Sequence, residues 1–359
     1  TDCGILFISL KKIRIKDIAR MAGVSAGTVD RVLHNRGNVS DDARIAVEKI
    51  IEQVDYRPNM HVSSLSLKRR YKIAVTTPQY SSGAYWESIH NGIKHTLDEY
   101  ENIKVEYHVF TYNQYDIYSC REVFEKISRF EMDALIIGTT FREETIKLCS
   151  KMDERQIPYI FVDSSVDECK PLAFFSADHY MVGRLIANLI TSITPKGSNI
   201  GLLQAVRTGD SSAYTTILRK KGFTDYLSEM KSMNQVLKIP FSVSQPEENE
   251  RHLSHFFKNH KNVPGIVVMN SRGSIVSDYL YNNNMDNVKM ICMDLTTPNI
   301  EAVKKGHIDL LIGQGPEYQG FYAMKTLLEY LIFKKPVTIQ NFVQLDIITK
   351  ETVDYYKSF

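Results

Sequence analysis

Long apolar runs are missing from this chain of 359 residues. The longest one near the start, Gly4 to Leu10, falls far short of the roughly 20 residues that span a bilayer, and the only charge before it is Asp2. It is therefore neither a membrane anchor nor a signal peptide. Cysteine is scarce: Cys3, Cys120, Cys149, Cys169 and Cys292 are odd in number, far apart and never in C-x-x-C spacing. That pattern argues against a disulfide framework and fits a reducing cytoplasm. The P-loop pattern is absent, and Gly313, Gly315 and Gly320 do not make G-x-G-x-x-G. His252 and His255 lie three apart on a predicted helix without a third ligand nearby, which reads as a solvated face rather than a metal site. Acidic neighbours such as Glu143 and Glu144 are common on exposed helices. Neither a catalytic constellation nor a cofactor or metal is expected, and the chain reads as a non-enzyme.

What is present is divided unevenly. The length suits two or three domains, each able to bury its own core. Residues 1–70 carry 13 Lys+Arg against 8 Asp+Glu, about +5, and the totals of 44 and 42 leave 31 against 34 in the remainder, about −3. A basic head on a slightly acidic body is the distribution expected of phosphate-backbone affinity confined to one end.

The basic head contains the most informative stretch, RIKDIARMAGVSAGTVDRVLHNRGNVSD, from Arg14 to Asp41. Ile15, Ile18, Ala19 and Ala22 are apolar at i, i+3, i+4 and i+7, with Asp17 near the positive end of the predicted helix. Gly23 closes that helix. Ser25 is placed to cap a second one, in which Val29, Val32 and Leu33 form a buried face while Ala26, Gly27, Asp30 and Arg31 point elsewhere. The tight A-G-V-S turn sets the two helices at a steep angle, the helix-turn-helix arrangement whose second helix lies in the major groove of DNA. A third helix is predicted from Ser40, with Asp41 and Asp42 in its first turn and Ala43, Val47, Ile50 and Val54 on one stripe.

These residues resemble the lactose-repressor/galactose-repressor family of bacterial transcription regulators, whose members begin with the run I-x-D-I-A-x-x-A-G-V-S-x-x-T-V-x-R-V-L. The resemblance continues through Tyr56, Pro58 and Asn59 to Leu65 and, in general form, over the rest of the chain. It implies DNA contacts from Ser25, Ala26, Gly27, Thr28, Arg31 and Asn35. It also implies a hinge helix, capped by Asn59, that forms on operator DNA, pairs with its copy in a second subunit and pushes Leu65 between base pairs in the minor groove. Asp30 stands where the family most often has Ser; a carboxylate there repels phosphate and favours a cytosine amino group. Val62 replaces the usual Ala of the hinge. The domain boundaries implied are an N-terminal extension over 1–10, a DNA-binding domain over 11–57, a hinge or linker over 58–71 and an effector-binding and dimerisation body over 72–359.

From Lys72 onward short apolar strands alternate with helical segments. KIAVTT, KVEYHVF, DALIIG and PYIFVD are separated by helices over Glu87 to Glu99, Cys120 to Phe130 and Glu143 to Glu154, and Asp178 to Ile193 is expected to close this half. The pattern then restarts with SNIGLLQ, VLKIPF, GIVVMN and KMICMD, separated by helices around Leu218 to Met230, Glu248 to Phe257 and Ser274 to Tyr281. Two such halves predict two α/β lobes, each with a parallel sheet, and binding in the cleft at the carboxyl ends of the strands. The fold class expected is a small all-α helix-turn-helix head plus an α/β two-lobed body like the periplasmic sugar-binding proteins.

The strand ends supply the candidate ligand residues. Asn270 ends GIVVMN, Asp294 ends KMICMD, Gln314 follows LLIG, Asp163 ends PYIFVD and Asp178 follows in F-S-A-D. Carboxylates and amides suit a polyol, because each accepts from or bridges adjacent hydroxyls in a buried cleft, although an Asp or Asn at a strand end also caps turns and helices. Tyr85 and Trp86 are expected in the loop after the first strand, where relatives place rings against the apolar face of a sugar; packing into a hinge core is the plainer alternative. Arg219 keeps the family's R-x-x-G-F motif, but Ile217 is expected to occupy the ligand-contacting place, so the ligand differs from the usual hexoses. The function expected is a cytoplasmic, ligand-responsive regulator, with repression the expected sign. It would bind double-stranded operator DNA as a homodimer or dimer of dimers and sense a sugar or polyol. A sugar-binding module whose head contacts protein is the alternative.

Overall fold

A computed structural model describes residues 15–33, 39–53, 69–138, 140–206, 214–242 and 246–356. The chain divides into two compact units, residues 1–65 and 66–359. The predicted extension over 1–10, Asn35, Asn59, Leu65 and nearly all of the predicted hinge lie outside the described residues.

In the first unit, α1 (Ile15–Ala22), α2 (Ala26–Leu33) and α3 (Asp41–Gln53) share one small core. Ile18, Ala19, Val29, Val32 and Val47 are buried in it, and Ala22, Val24, Val39, Ile50 and Ile51 pack around them. Gly23, at φ +66°, takes the left-handed conformation that ends α1, and it brings the Val24 N–H back to the carbonyl of Ala19 at 3.0 Å. Ser40 starts α3: its Oγ lies 3.4 Å from the N–H of Ala43.

Among the described residues, the second unit holds two six-stranded sheets. The strands of the first are β1 (Arg70–Pro78), β2 (Lys104–Tyr112), β3 (Ala134–Gly138), β4 (Tyr159–Val162), β5 (Ala173–Ser176) and β11 (Gln340–Phe342). They run in the order β11-β5-β4-β3-β1-β2, all parallel. The second sheet contains β6 (Ile200–Val206), β7 (Val236–Ser242), β8 (Gly265–Val268), β9 (Lys289–Met293), β10 (Leu310–Gly313) and β12 (Asp346–Ile348). Its order is β12-β10-β9-β8-β6-β7, and β12 alone is antiparallel to its neighbour. The central strands ALIIG, YIFV and GIVV are buried at every position, as expected where helices cover both faces of a parallel sheet.

The helices of the body are α4 (Tyr85–Glu99), α5 (Ile117–Arg129), α6 (Arg142–Glu154), α7 (His179–Ile193), α8 (Tyr214–Glu229), α9 (Pro246–Asn259), α10 (Gly273–Asn282), α11 (Thr297–Lys305) and α12 (Pro316–Phe333). Two of them depart from the expected division. The helix expected to close the first half, α7, buries Val182, Ile186, Ala187 and Ile190 in the core of the second sheet, together with Leu202, Phe223 and Val267. Conversely α12, which follows a strand of the second sheet, returns to the first: the Thr96 hydroxyl of α4 donates to the carbonyl of Phe321 at 2.7 Å. The chain therefore crosses between lobes after β5, after β10 and between β11 and β12. Ala177, Val182, Ile186 and Ile190 form an apolar stripe buried on the second sheet, while α12 packs against α4 on the first.

Candidate functional site

In the head, the Ser25 Oγ accepts from the Thr28 N–H at 3.1 Å and lies 2.9 Å from the Thr28 Oγ1, so both side chains are used in capping α2. Ser25, Ala26, Gly27 and Arg31 are exposed, and a Cβ added at Gly27 would meet only the Ser25 hydroxyl, at 3.8 Å. Val29 and Val32 meanwhile point into the core. The exposed face of α2 is thus small-sided and open at its amino end and carries Arg31 in its last turn. Such a face fits flush against a groove.

In the body, the site grows from two strand ends built alike. Asp163 follows β4 and Asp294 follows β9, and each takes a left-handed backbone, at φ +71° and +70°. Each also donates its N–H to the adjacent strand, Asp163 to the carbonyl of Phe175 at 3.1 Å and Asp294 to that of Ile312 at 2.9 Å. A non-glycine residue held at positive φ costs on the order of 1–3 kcal/mol unless its surroundings fix it, and Asp tolerates the conformation better than most. Here the strain turns each carboxyl off its strand and into the cleft.

A buried network joins the two ends. The Tyr85 hydroxyl donates to Asp163 Oδ1 at 2.8 Å. Gln319 of α12 accepts from the Asp163 N–H at 2.8 Å and gives its own Nε2–H to the carbonyl of Gln314 at 2.8 Å, with Tyr85 Oη a further 3.2 Å contact. Gln314 donates through Nε2 to Asp294 Oδ1 at 2.7 Å and accepts from Arg219 Nη2 at 3.2 Å. Arg219 also donates to the carbonyl of Met269 at 2.8 Å and, through Nε and Nη2, to His179 Nδ1 at 3.2 and 3.1 Å. The His179 Nε2–H closes the chain on the carbonyl of Asp163 at 2.6 Å.

Charge in this network is set by burial. Burial, partly offset by Arg219 and the Gln314 hydrogen bond, pushes the Asp294 carboxyl up from 3.8 to about 6. Burial and then the Arg219 charge hold His179 well below the usual imidazole range, so it stays neutral, with its proton on Nε2. Burial and the Asp163 charge keep the Tyr85 phenol protonated. The arrangement therefore offers one fixed cation, one easily neutralised acid and several amide and hydroxyl groups. Its chemistry suits polar ligands, and the described groups of the network pair no nucleophile with a base.

Several expected residues lie elsewhere than the sequence suggested. Tyr85 and Trp86 are not in a loop: they are the first two residues of α4 and are buried, with ring centroids 5.3 Å apart at 87°. The Trp86 indole packs on Gly138, where an added Cβ would fall 2.5 Å from Cζ3. Ile217 is 48% exposed on α8, whereas Arg219 is 5% exposed and occupies the cleft. The R-x-x-G-F motif explains why. Gly222 lets α8 approach α7 so closely that a Cβ there would fall 2.0 Å from the Tyr180 carbonyl, Phe223 fills the core, and Arg219 is carried inward. Asp178 caps α7, accepting from the Met181 N–H at 3.0 Å, and Asn270 accepts from the Arg272 N–H at 2.9 Å, so both serve local turns. Sequence reading passed over His179 and Gln319. His179 sits next to a capping Asp, and Gln319 is a wholly buried amide among the apolar residues of α12.

Comparison with known proteins agrees with this architecture. Residues 73–335 match the periplasmic binding protein domain, and residues 14–59 match the lacI family of bacterial regulatory proteins. A crystal structure from Bacteroides fragilis, assigned as a LacI transcriptional regulator, is similar over 80% of this chain and 100% of its own, with 28% identity and a TM-score of 0.77. The HTH-type transcriptional regulator MalR of Streptococcus pneumoniae is 24% identical over 308 residues, 80% of this chain and 85% of MalR. For the HTH-type transcriptional regulator DegA of Bacillus subtilis the match is 28% over 162 residues, which spans only 45% of either chain. The body is thus a periplasmic-binding-protein domain. Its head, over residues 14–59, is a helix-turn-helix domain of the lacI family of bacterial regulatory proteins.

Proposed function

We propose that this protein is a cytoplasmic DNA-binding repressor that works as a homodimer, or a dimer of dimers, on a pseudo-palindromic operator, and that it is controlled by a small sugar or polyol bound between the lobes of its body. The observation that carries the effector half of this reading is the buried network from Tyr85 and Asp163 in one lobe to Arg219, Asp294 and Gln314 in the other. A polyol entering it exchanges these protein-protein hydrogen bonds for bonds to its own hydroxyls, and Asp294, supported by one amide donor, gains most from a hydroxyl. Trp86 and the ring of Tyr85 supply an apolar wall. Asp163, His179 and Gln319 orient these groups, while Asn270 and Asp178 act through the turns they hold.

The DNA half rests on the open face of α2, where Ala26, Gly27 and Arg31 approach base edges or phosphates and Ser25 and Thr28 hold the helix start. Asn35, Asn59 and Leu65 are assigned to DNA by their place in the family motif. Ligand binding favours one angle between the lobes, and the hinge over 58–71 carries that preference toward DNA.

The reading is tested with an operator selected from random duplexes. Binding should fall steeply with salt, favour the selected duplex over a scrambled one by about a thousandfold or more, and weaken by about 1 kcal/mol or more in Arg31→Ala. A sugar or polyol found by thermal shift should change that affinity, and Asp294→Ala should abolish the shift while leaving DNA binding intact. Equal affinity for scrambled duplex removes the regulator; an unaltered thermal shift in Asp294→Ala removes the cleft assignment.

A further inference from the structure

A cavity of about 620 Å³ opens at the interlobe crossings of the body, beyond the network just described. Two of the three interlobe crossings form part of its wall: Gly315 and Pro316 between β10 and α12, and Val343 and Gln344 between β11 and β12. Its volume therefore depends on the angle between the lobes. Tyr85 and Asp294 face it from the effector side, but Asp163, His179, Arg219 and Gln319 do not line it.

The lining has an unusual charge pattern. Asp294, Glu317 and Asp346 contribute carboxylates, Tyr318, Phe342 and Tyr356 contribute rings, and no Lys, Arg or His is among the lining residues. Glu317 is paired outside the cavity with His95, at 3.0 Å, and Asp294 is held by Gln314. For Asp346 burial alone raises the carboxyl pKa, with no compensating cation. Burial and the charges of Asp346 and Glu317 together push the Tyr356 phenol up, so ring and acids share one electrostatic neighbourhood.

Thr296 gives an independent sign of a missing partner. It lines the cavity at 7% exposure and occupies the N-cap position of α11, where a threonine hydroxyl normally accepts from the helix. Here it makes no capping bond, and its Oγ1 is buried without a hydrogen-bond partner. A buried hydroxyl left unsatisfied is costly, and in a cavity that also holds the Asp346 carboxyl without a cation, a donor from outside relieves both.

We propose that this cavity at the crossings is a second small-molecule site and that it takes an organic cation, a protonated amine on an apolar body. The carboxylates hold the ammonium group, the rings face both the charge and the apolar body, and Thr296 accepts an N–H. Because two crossings line it, an occupied cavity favours one lobe angle and so modulates the response to the effector.

The test uses the full chain with 2-phenylethylamine, tyramine and choline as probes, and 2-phenylethanol as the neutral counterpart, read by calorimetry and thermal shift. At least one amine should bind saturably and about tenfold or more tighter than 2-phenylethanol, and Asp346→Asn should remove most of that preference. Thr296→Val should fold with an unchanged or higher Tm and weaken binding by the amines that carry an N–H, so it decides the matter if Asp346→Asn does not fold. Asp163→Asn, which lies outside the lining and keeps an acceptor for the Tyr85 hydroxyl, should leave amine binding as it is. Three results overturn the proposal: no saturable binding by any amine, equal binding by the alcohol, or full amine affinity in both Asp346→Asn and Thr296→Val. Loss of amine binding in Asp163→Asn puts the amine in the effector cleft and overturns it as well.

Discussion

Asp163 and Asp294 end equivalent strands in the two lobes, with the same left-handed backbone and the same N–H bond to the next strand, yet their carboxyls are treated differently. On the first lobe, Asp163 receives the Tyr85 hydroxyl, and its backbone is held by Gln319 and His179. On the second, Asp294 has the Gln314 amide and the more distant Arg219 charge, and burial pushes it up to about 6. The first acid is a positioned part of its lobe, whereas the second is held in tension between burial and a single guanidinium. Ligand-dependent energy is expected to concentrate on the second lobe.

The largest test of that contrast is Arg219→Ala. The guanidinium is buried and donates to Met269, His179 and Gln314, so its loss leaves three acceptors unpaired and removes the charge that favours ionised Asp294. A cost of about 3 kcal/mol or more in urea unfolding is expected, in the range found when one partner of a buried charged network is removed. A loss under about 1 kcal/mol would mean that water already serves this arginine and that the two lobes do not differ as described.

Next comes Asp294→Asn, whose effect should depend on pH. The folded pKa of about 6 lies above the ordinary 3.8, so the stabilisation associated with protonated Asp294 is full below about pH 4 and is lost as pH rises through 6. Asparagine keeps an acceptor for Gln314 without the charge. It should match the parent protein near pH 4 and exceed it by on the order of 2 kcal/mol at pH 7.5. A difference that does not vary with pH would show that Asp294 titrates normally.

These contrasts also mark what the sequence could reveal. The alternation of apolar strands and helices made the two lobes legible, and the helix-turn-helix spacing made the head legible, because 3.6-residue periods and short apolar runs are local properties. The strand-end positions of Asp163, Asp294 and Gln314 followed from the same pattern. The crossings did not follow: α7 and α12 carry ordinary apolar stripes, and which sheet receives a stripe depends on what already covers the other. The short strands β5, β11 and β12 were overlooked for a related reason, since three or four residues give too little period to read. Arg219 was in view within its motif, but the inward direction of its side chain depends on how closely α8 meets α7 at Gly222. Sequence shows that a glycine is there and not which helix it faces.

The smallest effect is expected on the first lobe, from Tyr85→Phe. The phenol is buried, donates to Asp163 at 2.8 Å and lies 3.2 Å from Gln319 Nε2, so the substitution removes one good bond and one weak contact while keeping the ring that packs against Trp86. Gln319 retains the Gln314 carbonyl as acceptor and the Asp163 N–H as donor, so the loss falls on the bond to Asp163 Oδ1. Removing one partner of a buried hydrogen bond to a charged group costs about 1–3 kcal/mol, and the remaining bonds should hold this case near 1. Because Tyr85 and Asp163 both belong to the first lobe, the cost should appear in urea unfolding with or without ligand, and effector affinity should fall only slightly. A large loss of effector affinity with unchanged stability would reverse the assignment, making Asp163 the acid that waits for ligand and Asp294 the one that serves the fold.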